Sequence, residues 1–398
     1  MKKLSKNSIL SVYNPVDLTF DHGDGVYLYT EDGTRYLDFT SGIGVTCLGH
    51  SHPSLVSALK EQAGKLWHCS NLFKIKGQET VANKIVENSF ASSVFFCNSG
   101  AEAVEAGIKA VRKYFYVKNV NKFKIICVNN SFHGRTLGAI SAAGQHKMLE
   151  GFGPHLEGFM HVDFNDLNAL KRKVDNETAG ILLETVQGEG GITPAKKDYL
   201  SGLKEIAKKN DLLLFFDEVQ CGIGRTGKFL ATEWVKGLEP DVVAIAKGIG
   251  GGFPLGALLV NKRVSKAMTP GSHGSTYGGN PLGMAAAEVV LNHVLKEDFL
   301  DHVREIGFNL RKKLKEEIVT DFPKLVSGVR GIGLMIGLEA VVKNQILIEA
   351  FRKERLLTVR AGQNVVRMLP PLILEMKHVD EAINKIYKAL KLIQNTNK

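Results

Sequence analysis

Cysteine is scarce in this chain and shows no pairing pattern. The 398 residues contain five cysteines, at positions 47, 69, 97, 127 and 221, and no two of them form a Cys-x-x-Cys pair. Such spacing, with an odd number of cysteines, argues against a disulfide framework and against a zinc site built on paired cysteines. We therefore expect a protein of a reducing compartment, without a metal ion.

Long hydrophobic runs and nucleic-acid motifs are also lacking. No apolar run approaches the ~18 to 20 residues that a membrane-spanning helix needs, and the apolar part of Met1–Leu10 is too short for a signal peptide. The net charge of +10 comes from lysines that alternate with acidic residues, as in residues 312–317, and not from a basic run with interleaved aromatics. We expect a cytoplasmic protein that binds neither membranes nor nucleic acid.

Repeats and low-complexity linkers are absent from the sequence, yet the chain is too long for one simple core. From residue 54 onward, short apolar segments alternate with helical patterns, which predicts an α/β domain with a mainly parallel sheet flanked by helices. The predicted strands are Val94–Cys97, Lys124–Val128, Gly180–Glu184, Leu212–Asp217, Val242–Ala246 and Leu255–Val260. Functional sites in such sheets gather at the carboxyl ends of the strands.

The two ends of the chain predict a second, smaller unit. Val26–Tyr29 and Arg35–Phe39 flank an Asp-Gly turn and are typical of a hairpin. Helices and short strands follow the long predicted helix Pro281–Leu295; the strands are Val326–Leu338, Thr358–Arg360 and Val365–Leu369. We expect residues 1–53 and 298–398 to form a smaller α+β domain, with 54–297 as the large domain.

Lys247 stands between an apolar strand and a glycine-rich loop, in the run Ala-Ile-Ala-Lys-Gly-Ile-Gly-Gly-Gly. Burial of a lysine lowers the pKa of its amine and frees the lone pair to form a Schiff base with an aldehyde. An earlier apolar strand ends in Asp217, a carboxylate that can face a cationic ring nitrogen. Together the two residues predict pyridoxal phosphate as the cofactor.

A phosphate site is predicted where a strand ends and a helix begins. Ser99 and Glu102 have the spacing of a capping box, while Gly100 and Ala101 leave the backbone amides accessible. Free amides and the helix dipole favour a phosphate there. The alternative is an ordinary well-capped helix.

Two arginines are candidates for binding carboxylates. Phe132 and Arg135 follow a strand, where an aromatic ring can stack on a flat cofactor and a guanidinium can bind a carboxylate; alternatively Phe132 is core and Arg135 is surface. Arg367 lies within an apolar strand and requires an anion, either a substrate carboxylate or a protein group such as Glu189. A structural ion pair is the alternative interpretation of Arg367.

Two loops remain. The segment 222–228 matches the start of a P-loop, but Phe229 stands where Ser or Thr would ligate magnesium, so we expect a loop that shapes the cofactor pocket instead. Residues 273–281 form a loop of small hydrogen-bonding residues in which Thr276 can donate to a phosphate. A plain loop before a helix is the alternative there.

Taken together, these motifs resemble the class III pyridoxal-phosphate-dependent aminotransferases over essentially the whole chain. The segments that carry the resemblance are 42–45, 49–50, 70–72, 98–102, 132–136, 217–227, the Lys247 loop, 275–281 and 367–371. The resemblance implies the fold-type-I aminotransferase architecture and a homodimer whose active sites lie at the subunit interface.

The resemblance also implies the role of each site residue. Lys247 and Asp217 would be catalytic. The cofactor would be bound by Ser99, Gly100, Ala101, Phe132, Asp217, Glu218, Val219, Gln220, Lys247 and, from the neighbouring subunit, Thr276. The substrates would be bound by Arg135, Ser275, Arg367, Glu189 and Tyr13.

The substrates implied by the resemblance are N2-acetylornithine, whose δ-amino group is transferred in arginine biosynthesis, and 2-oxoglutarate, in a ping-pong reaction. Succinylornithine, succinyl-diaminopimelate, ornithine and 4-aminobutyrate remain alternative amines. Ile43 stands where ornithine aminotransferases carry a tyrosine, which argues against free ornithine. A cofactor-binding protein without turnover and a P-loop nucleotide-binding module are the alternatives from other classes.

Overall fold

The computed structural model describes residues 8–396; residues 1–7, the start of the predicted N-terminal segment, and residues 397–398 lie outside it. The strands are β1 His22–Asp24, β2 Tyr27–Tyr29, β3 Arg35–Asp38, β4 Ser93–Cys97, β5 Lys124–Val128, β6 Phe159–Val162, β7 Thr178–Glu184, β8 Val186–Gln187, β9 Thr193–Pro194, β10 Leu213–Asp217, β11 Val242–Ile245, β12 Gly256–Val260, β13 Val326–Ile332, β14 Met335–Ala340, β15 Leu356–Leu357, β16 Val359–Ala361 and β17 Val365–Met368.

The helices surround these strands. They are α1 Ser41–Gly44, α2 Pro53–Ala63, α3 Lys76–Glu87, α4 Gly100–Tyr116, α5 Leu137–Ala142, α6 His146–Leu149, α7 Leu167–Lys173, α8 Lys197–Asn210, α9 Lys262–Ser265, α10 Pro281–Val294, α11 Glu297–Lys313, α12 Asn344–Lys353 and α13 Met376–Thr396, with 3-10 turns at Ala231–Trp234 and Lys247–Gly250 and a π-helical stretch at Leu314–Val319. Within residues 8–396, none of them combines the length and the apolar character that crossing a membrane requires.

The large sheet has seven strands in the order β4-β12-β11-β10-β7-β5-β6. Its strands run parallel except β12, which is antiparallel to both β11 and β4. The central strands are buried throughout, as in Thr178–Glu184 and Leu213–Asp217, because helices cover both faces of a parallel sheet. The predicted mainly parallel α/β architecture is therefore confirmed, and β6 is an additional strand at the edge.

One of the smaller sheets joins the two ends of the chain. The predicted N-terminal hairpin is present as β2 and β3, and β3 pairs in parallel with β15, so that Leu37 lies opposite Leu356. Strands β13, β14, β17 and β16 form a separate antiparallel sheet. The N–H of Leu369, just past β17, donates to the carbonyl of Phe39 at 2.7 Å. The domain boundaries at residues 53 and 297 stay a prediction.

Helix α1 is a single turn of left-handed backbone. The φ angles are 46° at Ser41, 61° at Gly42, 67° at Ile43 and 79° at Gly44. Such a conformation costs about 1–2 kcal/mol for each residue other than glycine. One carboxylate oxygen of Asp38 supports the turn, since it accepts from the Ser41 N–H at 3.1 Å and from the backbone and hydroxyl of the residue before it.

Candidate active site

A cavity of about 440 Å³ opens at the carboxyl ends of the central strands. The predicted residues that line it are Ser99, Gly100, Ala101, Phe132, Arg135, Glu189, Asp217, Val219, Gln220 and Lys247. These residues come from separate parts of the sequence and meet because the ends of neighbouring parallel strands share one edge of the sheet. The cavity is the natural candidate for the active site.

Lys247 lies two residues beyond the end of β11 and begins a tight 3-10 turn. Its φ of 48° lies in the left-handed region, which a residue other than glycine adopts only under strain. Such strain is common at functional sites. Burial is the main cause that lowers the pKa of Lys247, and the positive charge of Arg367 adds to it. The amine therefore loses its proton more readily than an exposed lysine, as a nucleophilic amine requires.

Asp217 ends β10 and is buried beside His133. The Nδ1 atom of His133 lies 2.7 Å from Asp217 Oδ2, and the Val219 N–H donates to Asp217 Oδ1 at 2.9 Å. These two contacts hold the carboxylate at the cavity, where its remaining lone pairs can accept from a protonated ring nitrogen. The Nε2 atom of His133 is buried without a hydrogen-bond partner in the described part of the chain.

The predicted phosphate site lies at the start of helix α4. The Glu102 N–H donates to the Ser99 hydroxyl at 3.2 Å, and the Glu102 carboxylate accepts from the backbone N–H of Asn98 at 2.7 Å, one residue earlier than in a standard capping box. A Cβ on Gly100 would lie 2.6 Å from Val219 Cγ1, so any side chain there would clash with this residue of the cavity wall. The first amides of this 17-residue helix therefore border the cavity, which suits a phosphate.

Arg367 lies beside the cavity in β17 and is 2% exposed. Its Nη2 is 2.7 Å from Glu189 Oε1, and its Nη1 donates to Gln220 Oε1 at 3.2 Å. The ion pair considered from the sequence is thus present, on a glutamate that itself lines the cavity. Arg135 is exposed at the cavity, with its guanidinium 5.5 Å from the ring centre of Phe132, and it forms no salt bridge within residues 8–396.

Besides Arg367, four predicted site residues do not line the cavity of this single chain. Ser275 is hydrogen-bonded through its Oγ to the side chain of Asn98 at 3.1 Å, while Thr276 and Tyr13 are exposed. Glu218 is fully buried, and its carboxylate accepts from the backbone N–H groups of Ala231 and Thr232 in the 3-10 turn. The roles predicted for these residues stay predictions.

Two titratable side chains that line the cavity, His133 and Glu184, were not among the predicted site residues, although both stand in segments that the sequence singles out. His133 follows Phe132, and its contact with Asp217 depends on the fold, which brings positions 133 and 217 together. Glu184 is the last residue of β7 and lies opposite Asp217 of β10 in the sheet register. An acidic residue at the end of an apolar strand is the signal that could have identified it.

The residues at this site fit pyridoxal phosphate, with an amine, a buried carboxylate, an aromatic ring and helix amides around one cavity. When bound, the cofactor supplies an aldehyde and a ring that withdraws electrons from the amino-bearing carbon of the substrate. Lys247 Nζ would hold the aldehyde carbon and move the substrate proton, and Asp217 would keep the proton on the ring nitrogen. Phe132 would cover one face of the ring, and the amides of Gly100 and Ala101 would hold the phosphate.

The fold and this site define a pyridoxal-phosphate-dependent transaminase of fold type I. Residues 11–390 match the family described as Aminotransferase class-III, and the chain belongs to that family. It is 50% identical to the acetylornithine aminotransferase of Brucella melitensis biotype 1, over 98% of this chain and 96% of that protein.

Solved structures resemble the chain as well. The N-acetylornithine aminotransferase of Stenotrophomonas maltophilia K279a is 35% identical, with a TM-score of 0.84 over 96% of this chain and 98% of that one. The ornithine aminotransferase of Toxoplasma gondii ME49 is 29% identical, with a TM-score of 0.93 over 98% and 94% of the two chains.

Proposed function

We propose that this transaminase transfers the δ-amino group of N2-acetylornithine to 2-oxoglutarate, a step of arginine biosynthesis. The observation that carries the proposal is the 50% identity to an acetylornithine aminotransferase over 98% of the chain. A ping-pong transaminase binds both substrates in one pocket in turn, so its binding groups must serve an acylated amino acid as well as a dicarboxylate.

The arrangement of the two arginines supports this substrate pair. Arg135 is free of acidic partners within residues 8–396, so its guanidinium can bind the carboxylate far from the reacting carbon. Arg367 would bind the α-carboxylate of glutamate after Glu189 releases it. With the acetylated donor, the Arg367–Glu189 ion pair would stay closed, because this substrate brings no second carboxylate.

The test is a comparison of amine donors with the cofactor-loaded enzyme. Acetylornithine, succinylornithine, succinyl-diaminopimelate, ornithine and 4-aminobutyrate would each be supplied with 2-oxoglutarate, and glutamate formation would be ranked by kcat/KM. We expect acetylornithine to lead by at least ~10-fold, about 1.4 kcal/mol of transition-state preference. A Lys247→Ala variant is the negative control, and transamination by it would refute the assigned role of the lysine.

Free ornithine is the second candidate because the Toxoplasma gondii ornithine aminotransferase shares the fold at a TM-score of 0.93. Against it stands Ile43, an aliphatic side chain in the left-handed turn that precedes Val45, a residue of the cavity wall. If ornithine led the ranking, the Lys247 chemistry would stand and the substrate assignment would change.

We also propose that the protein is a cytoplasmic homodimer with shared active sites. Large apolar side chains are exposed on the single chain, among them Leu72 at 89% and Trp67 at 63%. Thr276 lies in an exposed loop away from the cavity of its own chain, in keeping with a role at the site of a second subunit. Light scattering after size-exclusion chromatography tests the dimer, and a monomeric mass would contradict it.

A further inference from the structure

Glu184 is a buried acidic residue to which neither the cofactor chemistry nor the arginine pair assigns a task. It ends β7, lines the active-site cavity and lies directly opposite Asp217 in the adjacent parallel strand. Burial and the charge of Asp217 together raise the pKa of Glu184 to about 7. A carboxylate in this position is costly, so its contacts should explain why the sheet carries one here.

Each carboxylate oxygen of Glu184 accepts from a different loop. Oε2 accepts from the backbone N–H of Phe132 at 3.1 Å, and Oε1 accepts from the backbone N–H of Gly188 at 3.0 Å. The first loop carries Phe132 and, three residues later, Arg135. The second loop carries Glu189, the partner of Arg367 at 2.7 Å.

A second side chain joins the same two loops. The Nε2 atom of Gln187 donates to the carbonyl of Asn129 at 2.8 Å and to the hydroxyl of Ser131 at 3.2 Å. Gln187 thus fixes the parts of the loops farther from the substrate groups. Glu184 holds the positions next to those groups, with its own backbone fixed in the centre of the sheet.

We propose that Glu184 is a positioning residue that holds the Arg135 loop and the Glu189 loop at one fixed point beside Asp217. Its carboxylate thereby sets the distance between the two sites that bind substrate carboxylates, and both substrates are recognised relative to the same reacting centre. This role rests on the proposed two-substrate function. It requires two acceptor oxygens on a side chain long enough to reach both backbone N–H groups.

Two substitutions separate this role from an electrostatic effect on Asp217. Glu184→Gln keeps the length but has only one acceptor oxygen, and Glu184→Asp keeps the charge but shortens the reach. Loss of positioning predicts that both variants are impaired, whereas an electrostatic effect predicts that Glu184→Asp retains wild-type behaviour. Asp241→Asn is the matched control, because Asp241 is a buried carboxylate at the opposite end of the sheet that accepts from the N–H of Leu214 at 2.9 Å.

The first measurement is amide hydrogen exchange of the cofactor-loaded proteins without any amine substrate. We expect the peptides that span 130–135 and 187–190 to exchange at least ~10-fold faster in both Glu184 variants and to be unchanged in Asp241→Asn. Unchanged exchange in both Glu184 variants would overturn the proposal. This result does not depend on which amine the enzyme prefers, so it stands apart from the substrate assignment.

The second measurement is the calorimetric Kd of glutarate, an unreactive five-carbon dicarboxylate, for the same proteins. We expect both Glu184 variants to bind it at least ~10-fold more weakly, with the absorbance of the bound cofactor little changed. If Glu184→Gln altered the absorbance and its pH titration while the glutarate Kd stayed at the wild-type value, Glu184 would act on Asp217 and not on the loops.

Discussion

Lys247 and Arg367 are two basic side chains at one cavity, and the acidic residues around them affect the two differently. The charge of Arg367 helps to lower the pKa of Lys247, while Glu189, Asp217 and Glu184 oppose that effect. Arg367 Nη2 also donates to Glu189 Oε1 at 2.7 Å, so the guanidinium is paired with a carboxylate of the protein itself. At the scale of single residues, we therefore expect the position of Glu189 to determine which anion Arg367 can bind.

Replacing Glu189 by glutamine should alter the two halves of the reaction in opposite directions. A free Arg367 would bind 2-oxoglutarate and glutamate more tightly, and it would misplace the amine donor by attracting its only carboxylate. We expect the KM for 2-oxoglutarate to fall and kcat/KM for the donor to fall about tenfold, equivalent to about 1.4 kcal/mol. Separate measurement of the two half-reactions checks this.

The control for that variant is Asp175→Asn, which removes an acidic partner of Lys124 at the opposite end of the sheet. It should leave both half-reactions unchanged. Equal loss in both half-reactions of the Glu189 variant would contradict the role of Glu189 as the partner that Arg367 exchanges for substrate.

Glu218 provides a prediction about pH. Burial raises the pKa of Glu218 to about 7 from an ordinary value of 4.5, although the N–H groups of Ala231 and Thr232 oppose the shift. Between pH 4.5 and 7 the folded protein retains a proton that the unfolded chain has lost, so this group makes stability fall as the pH rises. Above the folded pKa the loss is complete.

Glu218→Gln removes this titration. We expect the free energy of unfolding of the wild type, relative to the variant, to decline from pH 4.5 to 7 and to level off above 7. Urea unfolding of the two cofactor-loaded proteins at several pH values measures the difference. A difference independent of pH would show that the carboxylate is not protonated in the folded protein.

At the scale of elements, helix α4 links the predicted phosphate site to the strand that ends in Asp217. Its first amides border the cavity, and Gly107, two turns later, packs against Phe215 of β10. A Cβ on Gly107 would lie 2.2 Å from the ring Cζ of Phe215, which is fully buried. The glycine thus allows the helix and the strand to approach closely, and it determines the distance between the helix and the sheet.

Gly107→Ala should therefore destabilise the protein although alanine favours helices. Overpacking of a buried contact costs about 1–3 kcal/mol, against a gain of about 1 kcal/mol in helix propensity. Gly64→Ala is the control, because the nearest atom to a Cβ there is 3.6 Å away. Thermal unfolding should show a lower Tm for Gly107→Ala alone; an equal or higher Tm would mean that α4 can shift without cost.

The central strands were predictable because their residues are apolar throughout and end in polar groups, as at Asp217 and Glu184. β6 was missed, since the segment Phe-Met-His-Val is half-buried at an edge and carries a histidine. The antiparallel course of β12 could not be inferred, because an apolar run has no direction in its composition. Pairing across the sheet, and not local sequence, decides it.

Some features of the site were likewise predictable from the local sequence, and others were not. Lys247 has a local signature, an apolar strand before it and glycines after it. The contact between His133 and Asp217 has none, because it depends on how the chain folds back over many residues. The role proposed for Thr276 would require a second chain, which no pattern within one sequence specifies.

At the scale of the whole molecule, the proposed shared active sites predict that two defective variants complement each other in a hybrid dimer. Lys247→Ala lacks the nucleophilic amine, and Thr276→Ala lacks a hydroxyl proposed to hold the phosphate across the interface. In a hybrid dimer of these two chains, one site carries both defects and the other carries neither. We expect the hybrid to show about half the activity of the wild-type dimer at limiting cofactor.

Two different affinity tags allow that hybrid to be purified. The homodimers of each variant, measured at the same cofactor concentration, are the controls. If Thr276 served its own subunit, the two defects would fall on separate sites, and the hybrid would show only the mean activity of the two parent homodimers.

The pairing of β3 with β15 has a consequence for synthesis on the ribosome. Leu37 emerges early, and its partner Leu356 emerges near the end of translation. Until then β3 has one edge without a neighbour, and closing so long a loop is slow. The nascent chain thus completes its first sheet only near the end of translation, and premature termination anywhere before β15 leaves an exposed edge that favours aggregation.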